Sequence, residues 1–287
     1  MKAPLFVILA ALLPYALAAP AQSEEMVQTP GGLRPKSNVI QIPEGGAISL
    51  TSTEIHLLDA SQRIVHVAPR SEARVARATN STGPPPELSG WISYAYWHRP
   101  STPIENFVTT WVVPPNPTTD HGQLLYLFNG LQPQSEPAIL QPVLQWGLSP
   151  AGGGSYWAVA SWYVTDTTAF WSTPQQVAVG QSLQGIIQRT GQNADGTFNY
   201  VTEFANIPGV TNLTNSAELV WAFETLETYS VTTASDYPTG CTVFTDIDIT
   251  TSSGAEAVSW STTDDDADGI HATSGSNGDV SICYPLP

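Results

Sequence analysis

"AILQPVLQWG", residues 138–147, alternates around two glutamines four residues apart. In a strand, successive side chains point to opposite faces. Ile139, Gln141, Val143 and Gln145 then share one face, and Leu140, Pro142, Leu144 and Trp146 the other. A buried amide costs a few kcal/mol unless something hydrogen-bonds it. Two amides on one face of an apolar strand therefore mark either a satisfied polar network or the floor of a groove.

Segments of the same kind surround this one. From Trp91 onward, "GWISYAYWH", "NFVTTWVVP", "QLLYLFNGLQ", "SYWAVASWYVT", "QSLQGIIQRT", "TFNYVTEFAN", "AELVWAFETLETY", "VFTDIDITT" and "EAVSWST" alternate with turn-forming stretches such as "PPNPTTDHG", "SPAGGG" and "GQNADG". Thr, Val, Trp and Tyr dominate and no helical apolar stripe is sustained, so an all-β antiparallel sandwich or jelly roll is expected over 91–287. About 200 residues suffice for one sizeable core.

The chain ahead of it divides into three. Met1-Lys2, a short apolar run and small residues at Ala18–Ala19 read as a secretory signal over 1–19. The run is too short for a comfortable membrane span, so a secreted, extracellular protein is expected. Residues 20–77 read as a propeptide or a disordered arm, with a small hairpin within 46–70. Residues 78–90, with Pro84 to Pro86, form a linker.

Charge separates the same parts. After Thr79 there are nineteen Asp or Glu against Arg99 and Arg189, a net charge of −17, whereas the preceding arm balances six acidic with six basic residues. Nucleic-acid binding needs the opposite sign. Self-repulsion of so acidic a body fades as carboxylates protonate toward pH 3–4, which suits an acidic medium. Cys241 and Cys283, the two cysteines of an exported chain, are expected to form one disulfide closing a loop of about 40 residues. Asn80 and Asn212 open N-x-[ST] sequons for glycosylation. The five histidines show no metal-ligand spacing, and there is no G-x-S-x-G for a serine nucleophile.

The order of the patterned strands resembles the glutamic peptidases, of the eqolisin type first and the neprosin type second. The resemblance rests on "NFVTTWVVP" (106–114), "LFNGLQ" (127–132), "AILQPVLQWG" (138–147), "YWAVASWYV" (156–164), "VAVGQSLQGII" (177–187) and "LVWAFETLETY" (219–229). It implies a concanavalin A-like sandwich and a secreted, propeptide-bearing endopeptidase that acts on protein or peptide substrates at acid pH. Metal and cofactor are not required, and a monomer is the expected state. The catalytic amide falls on Gln141, as donor to the oxyanion formed when a carboxylate-activated water adds to the peptide carbonyl. The carboxylate falls on Glu224, with Glu227 the alternative and Glu218 a weaker third. Glu224 and Glu227 have opposite parity, so a regular strand presents only one of them to the groove. Gln145, Trp146, Trp162, Tyr163, Asn129 and Gln132 are the expected substrate-binding residues. The competing expectations are a carbohydrate-binding, lectin-like sandwich without catalysis, and a glycan hydrolase. The latter needs two carboxylates on one face.

Overall fold

The computed structural model describes residues 24–70, 89–264 and 267–286. The signal segment, both ends of the arm, Asn80 and most of the linker lie outside the described residues. The described chain is built almost wholly of strands, with two short 3-10 turns and no α-helix.

An N-terminal arm contributes six strands: β1 (Met26–Thr29), β2 (Gly32–Pro35), β3 (Val39–Gln41), β4 (Ala47–Leu50), β5 (Glu54–Leu58) and β6 (Ile64–Pro69). The body follows with β7 (Trp91–His98), β8 (Ile104–Val112), β9 (Leu124–Pro133), β10 (Ala138–Ser149), β11 (Gly152–Thr165) and β12 (Ala169–Trp171). Next come β13 (Gln175–Gln176), β14 (Ser182–Gln192), β15 (Phe198–Phe204), β16 (Ile207–Ser216) and β17 (Leu219–Tyr229). The last are β18 (Cys241–Thr251), β19 (Gly254–Ala255), β20 (Ser261–Asp264), β21 (His271–Ser274) and β22 (Val280–Cys283).

Two sheets form the sandwich. The upper runs β20-β7-β17-β9-β10-β11-β12-β3, with β13 also on β11; the lower runs β21-β22-β18-β8-β14-β15-β16-β4-β5-β6, with β19 on β18. The all-β sandwich is as expected from the sequence, and its body is antiparallel throughout. The arm departs from that rule. Strand β3 joins the upper sheet parallel to β12, and β4 joins the lower sheet parallel to β16. A parallel pair needs a long crossover, which the more than 120 residues between these partners supply. Residues 46–70 accordingly make three strands at the edge of the lower sheet, where a small hairpin was expected. Over its described length the arm contributes strands to both sheets and a separate β1–β2 pair.

Between the sheets lies a continuous core that includes Leu127, Leu140, Leu144, Trp157, Phe107, Trp111 and Leu226. A second apolar cluster, with Trp91, Phe128, Ile139, Val143, Trp162 and Phe223, covers the opposite, outer face of the upper sheet. Having both faces of β10 apolar explains why it reads as a nearly continuous hydrophobic run.

Cys241 and Cys283 face each other across β18 and β22 and are disulfide-bonded. Cys283→Ser should lower the unfolding free energy by about 4 kcal/mol, the chain-entropy value for such a loop. Urea unfolding under non-reducing conditions checks this, and an unchanged midpoint would show that the bridge adds nothing.

Candidate functional site

Directly paired residues of neighbouring strands share a face, so register alone assigns every side chain of the upper sheet. On its outer face one row runs Glu227, Tyr126, Gln145 and Ala158, with Trp91 beside Glu227. A second runs Thr225, Phe128, Val143 and Ala160. A third row holds Phe223 and Gly130 on β17 and β9, with Gln141, Trp162 and Trp171 on β10 to β12. A fourth holds His98, Trp221 and Gln132, then Ile139 and Val164.

The expected site residues divide between the two faces. Gln141, Gln145, Trp162, Gln132 and Glu227 lie on the outer face. Glu224, Asn129, Trp146 and Tyr163 point between the sheets. Glu224 is fully buried there and accepts a 2.5 Å hydrogen bond from Thr109 Oγ1 of the lower sheet. Asn129, its directly paired neighbour, reaches Gly185 O. Gly185 has no side chain to spare: a Cβ would stand 2.3 Å from Asn129 Oδ1. Trp146 packs against Trp157, ring centroids 5.5 Å apart. The structure therefore does not bring Glu224 to Gln141. They stand on opposite faces of one sheet, because the register of β17 on β9 aligns Glu224 with Asn129 rather than with an outward residue.

Glu227 shares the face of Gln141 but not its neighbourhood. They are two strands and four residues apart, roughly 16 Å between Cα atoms at about 4.8 Å per strand and about 3.4 Å per residue. Phe128 and Val143 fill the row between. Across Gly130, the residue that faces Gln141 on β17 is Phe223. Gln145 is nearer Glu227, but its amide is already engaged. Its Nε2 donates to Gly147 O at 2.7 Å and Gly152 O at 2.9 Å, and its Oε1 accepts from Ser149 Oγ. Gln145 thus closes the β10–β11 turn.

Gln141 and Gln132 differ from Gln145 in kind. Each is 1% exposed, and neither its amide nitrogen nor its oxygen has a hydrogen-bond partner. The indole nitrogens of Trp162 and Trp171 and Nε2 of His98 are also buried without partners on this face. His98 lies flat on Trp221, ring centroids 3.7 Å apart, and burial lowers its pKa. Unpaired buried polar groups cost about 1–3 kcal/mol each. Single unpartnered atoms also lie between the sheets, at the indoles of Trp111, Trp146 and Trp157. The outer face is set apart by two whole amides left unpaired, which suits a face that meets a polar ligand. Among the described residues no three His, Cys, Asp or Glu side chains come together as a metal site needs.

At the other end of the face the arm supplies the partner. The turn between β1 and β2 carries Gly31 and Gly32 at φ +84° and +114°, a left-handed conformation that favours glycine. It directs the Gly31 N–H to Glu227 Oε1 at 2.6 Å. Tyr229 donates its hydroxyl to the same oxygen at 2.5 Å. Arg34 of β2 binds Thr165 O through Nε and Nη2. Burial pushes the Glu227 carboxyl up to about 8, against the Tyr229 and Gly31 hydrogen bonds and the charge of Arg34. Burial raises the Glu224 carboxyl well above the usual carboxylate range too, with Thr109 opposing. The Glu227–arm contact joins residues 196 apart in sequence and no local pattern announces it. The unpartnered Trp171 and His98 were likewise not legible as site residues.

Among solved structures, the chain is similar to scytalido-glutamic peptidase bound to a peptide-based transition state analog. Identity is 14% and the TM-score 0.49, over 69% of this chain and 99% of that one. It is also similar to SCP-B, a member of the eqolisin family of peptidases, in complex with the tripeptide Ala-Ile-His, at 14% identity, a TM-score of 0.47 and the same coverage. No protein-family model matches the sequence, and no curated protein does.

Proposed function

We propose that this chain is a secreted peptidase, made with its arm in place, and that it hydrolyses peptide bonds along the outer face of the upper sheet. The observation that carries this is the Gly31 N–H on Glu227: a polypeptide main chain already occupies the carboxyl that this face presents. Among the described residues Glu227 is the only acidic residue that β7, β9, β10, β11 and β17 place on that face. With the arm displaced, the carboxyl regains water and returns toward its ordinary range near 4.5, ionised enough to act as a base in a mildly acidic medium.

Glu227 then takes a proton from a water whose oxygen bonds to the peptide carbonyl carbon. The same proton goes to the departing nitrogen as the C–N bond breaks, leaving a carboxylic acid and an amine. Tyr229 and Tyr126, neutral at acid pH, are the hydroxyls nearest in register to stabilise the oxyanion. Gln141, expected from the sequence to do this, stands two rows away and holds substrate main chain further along the same face.

A second reading, sugar binding without catalysis, is favoured by one observation. The rows holding Gln132 and Gln141 contain indole rings and no carboxylate, an arrangement that suits stacking a sugar ring as well. The test is cleavage of a denatured protein from pH 2 to 7, by protein with the arm intact and with the arm removed by limited proteolysis. Cleavage confined to the arm-free protein supports the peptidase. Retention on a polysaccharide column, with no cleavage at any pH by folded arm-free protein, supports the second reading.

A further inference from the structure

The arm leaves a cleft of about 620 Å3 where it meets the body, lined by Ile42, Pro43 and Gly46 on one side and by Pro208, Val210 and Asn212 on the other. That is the size of a small-ligand pocket. Asn212 opens the sequence Asn212-Leu213-Thr214, and its parity places it on the outer side of β16, since Thr211 and Leu213 are fully buried. Its Nδ2 donates to Gly46 O of the arm at 3.4 Å. The arm strand β4 lies beside the same sequon, with Leu213 opposite Ile48 and Thr214 opposite Ser49.

The geometry points to Asn212 as an N-linked glycosylation site whose innermost sugars occupy this cleft and help hold the arm on the body. A sugar joined to Nδ2 replaces one of two amide hydrogens, so the other still reaches Gly46 O. The sugar's apolar ring faces meet Ile42, Pro43, Pro208 and Val210, and its hydroxyls meet Ser172, Thr173 and Gln175, which line the same cleft. Attachment to the unfolded chain on export precedes docking of β4, so the arm folds down over a sugar already in place.

The experiment is to express the full chain in a glycosylating eukaryotic host and measure its intact mass before and after enzymatic removal of N-glycans. The glycosylated, deglycosylated, Asn212→Gln and Thr214→Ser proteins are then compared for the rate at which a protease releases the arm. Thr214→Ser keeps the sequon and serves as the control. A glycan mapped to Asn212, with severalfold faster arm release in the deglycosylated and Asn212→Gln proteins and a wild-type rate in Thr214→Ser, is the expected result. An unmodified Asn212, or equal release rates with and without the glycan, would overturn the inference. Wild-type protein from a host without N-glycosylation keeps the Asn212 amide and its bond to Gly46 O. Its release rate answers the question even where Asn212→Gln fails to fold or enzymatic removal converts the asparagine to an aspartate. None of these outcomes depends on peptidase activity.

Discussion

Stability should rise as the pH falls from 8 to about 4.5 and then turn over, with Glu224→Gln lessening the slope of the neutral limb and leaving the Glu227 part of it. Glu224 and Glu227 are wholly buried carboxyls whose pKa burial raises. A group with a raised folded pKa contributes stability that is complete below its unfolded pKa and is lost as the pH rises through the folded one. For Glu227 that window runs from 4.5 to about 8. At about 1.36 kcal/mol per unit it corresponds to about 5 kcal/mol. Glu224 adds to it in the same direction. Below pH 4 the sign reverses. Against the upward push of burial, the hydroxyls of Thr119 and Thr232 and the Thr232 N–H hold the Asp236 carboxyl below its ordinary range. That contribution is lost as the pH falls. Burial also lowers the pKa of His98, a smaller opposing contribution that sets in as the pH falls through the ordinary histidine value of 6.5. In Glu224→Gln the amide oxygen still accepts from Thr109, while the titration of this carboxyl is removed. Urea midpoints of the wild type and the variant from pH 3 to 8 give the measurement. A wild-type midpoint that climbs steadily to pH 8 would contradict the assignment.

The second expected result separates the two glutamates by activity. In arm-free protein, Glu227→Gln should lower kcat by about 10²- to 10⁴-fold, the usual contribution of a positioned acid–base group. Glu224→Gln should leave kcat unchanged, because Glu224 faces Thr109 and the lower sheet and never meets substrate. Gln141→Ala distinguishes two roles. As a holder of main chain it should raise KM by up to about tenfold, the worth of one or two neutral hydrogen bonds, with kcat nearly constant. As an oxyanion donor its loss would cost about 10²- to 10³-fold in kcat. The register separation from Glu227 makes the KM effect the expected one. Full activity in Glu227→Gln would remove Glu227 from the reaction, and loss of kcat in folded Glu224→Gln would return Glu224 to it.

Much of this was legible in the chain itself. The strands of the body, the sharing of one face by Gln141 and Gln145, and the opposite parity of Glu224 and Glu227 all follow from period-2 alternation. That is a local property which the backbone imposes wherever a strand forms. Alternation says nothing about how the parity of one strand relates to that of another. This relation is set by pairing register, and register depends on contacts between residues far apart in the chain, including the shifts at Trp146/Gly147 and Leu226/Glu227. The resemblance favoured Glu224, and register turned it inward beside Asn129. Gln145 looked as available as Gln141 until the turn at Gly147 and Gly152 took up its amide. The arm's parallel places at two sheet edges, and the Gly31 N–H on Glu227, join segments more than a hundred residues apart. The sequence by itself determined which side chains travel together on each strand. Only the tertiary structure decided which strands' faces meet, because that choice is made by long-range packing and hydrogen bonding.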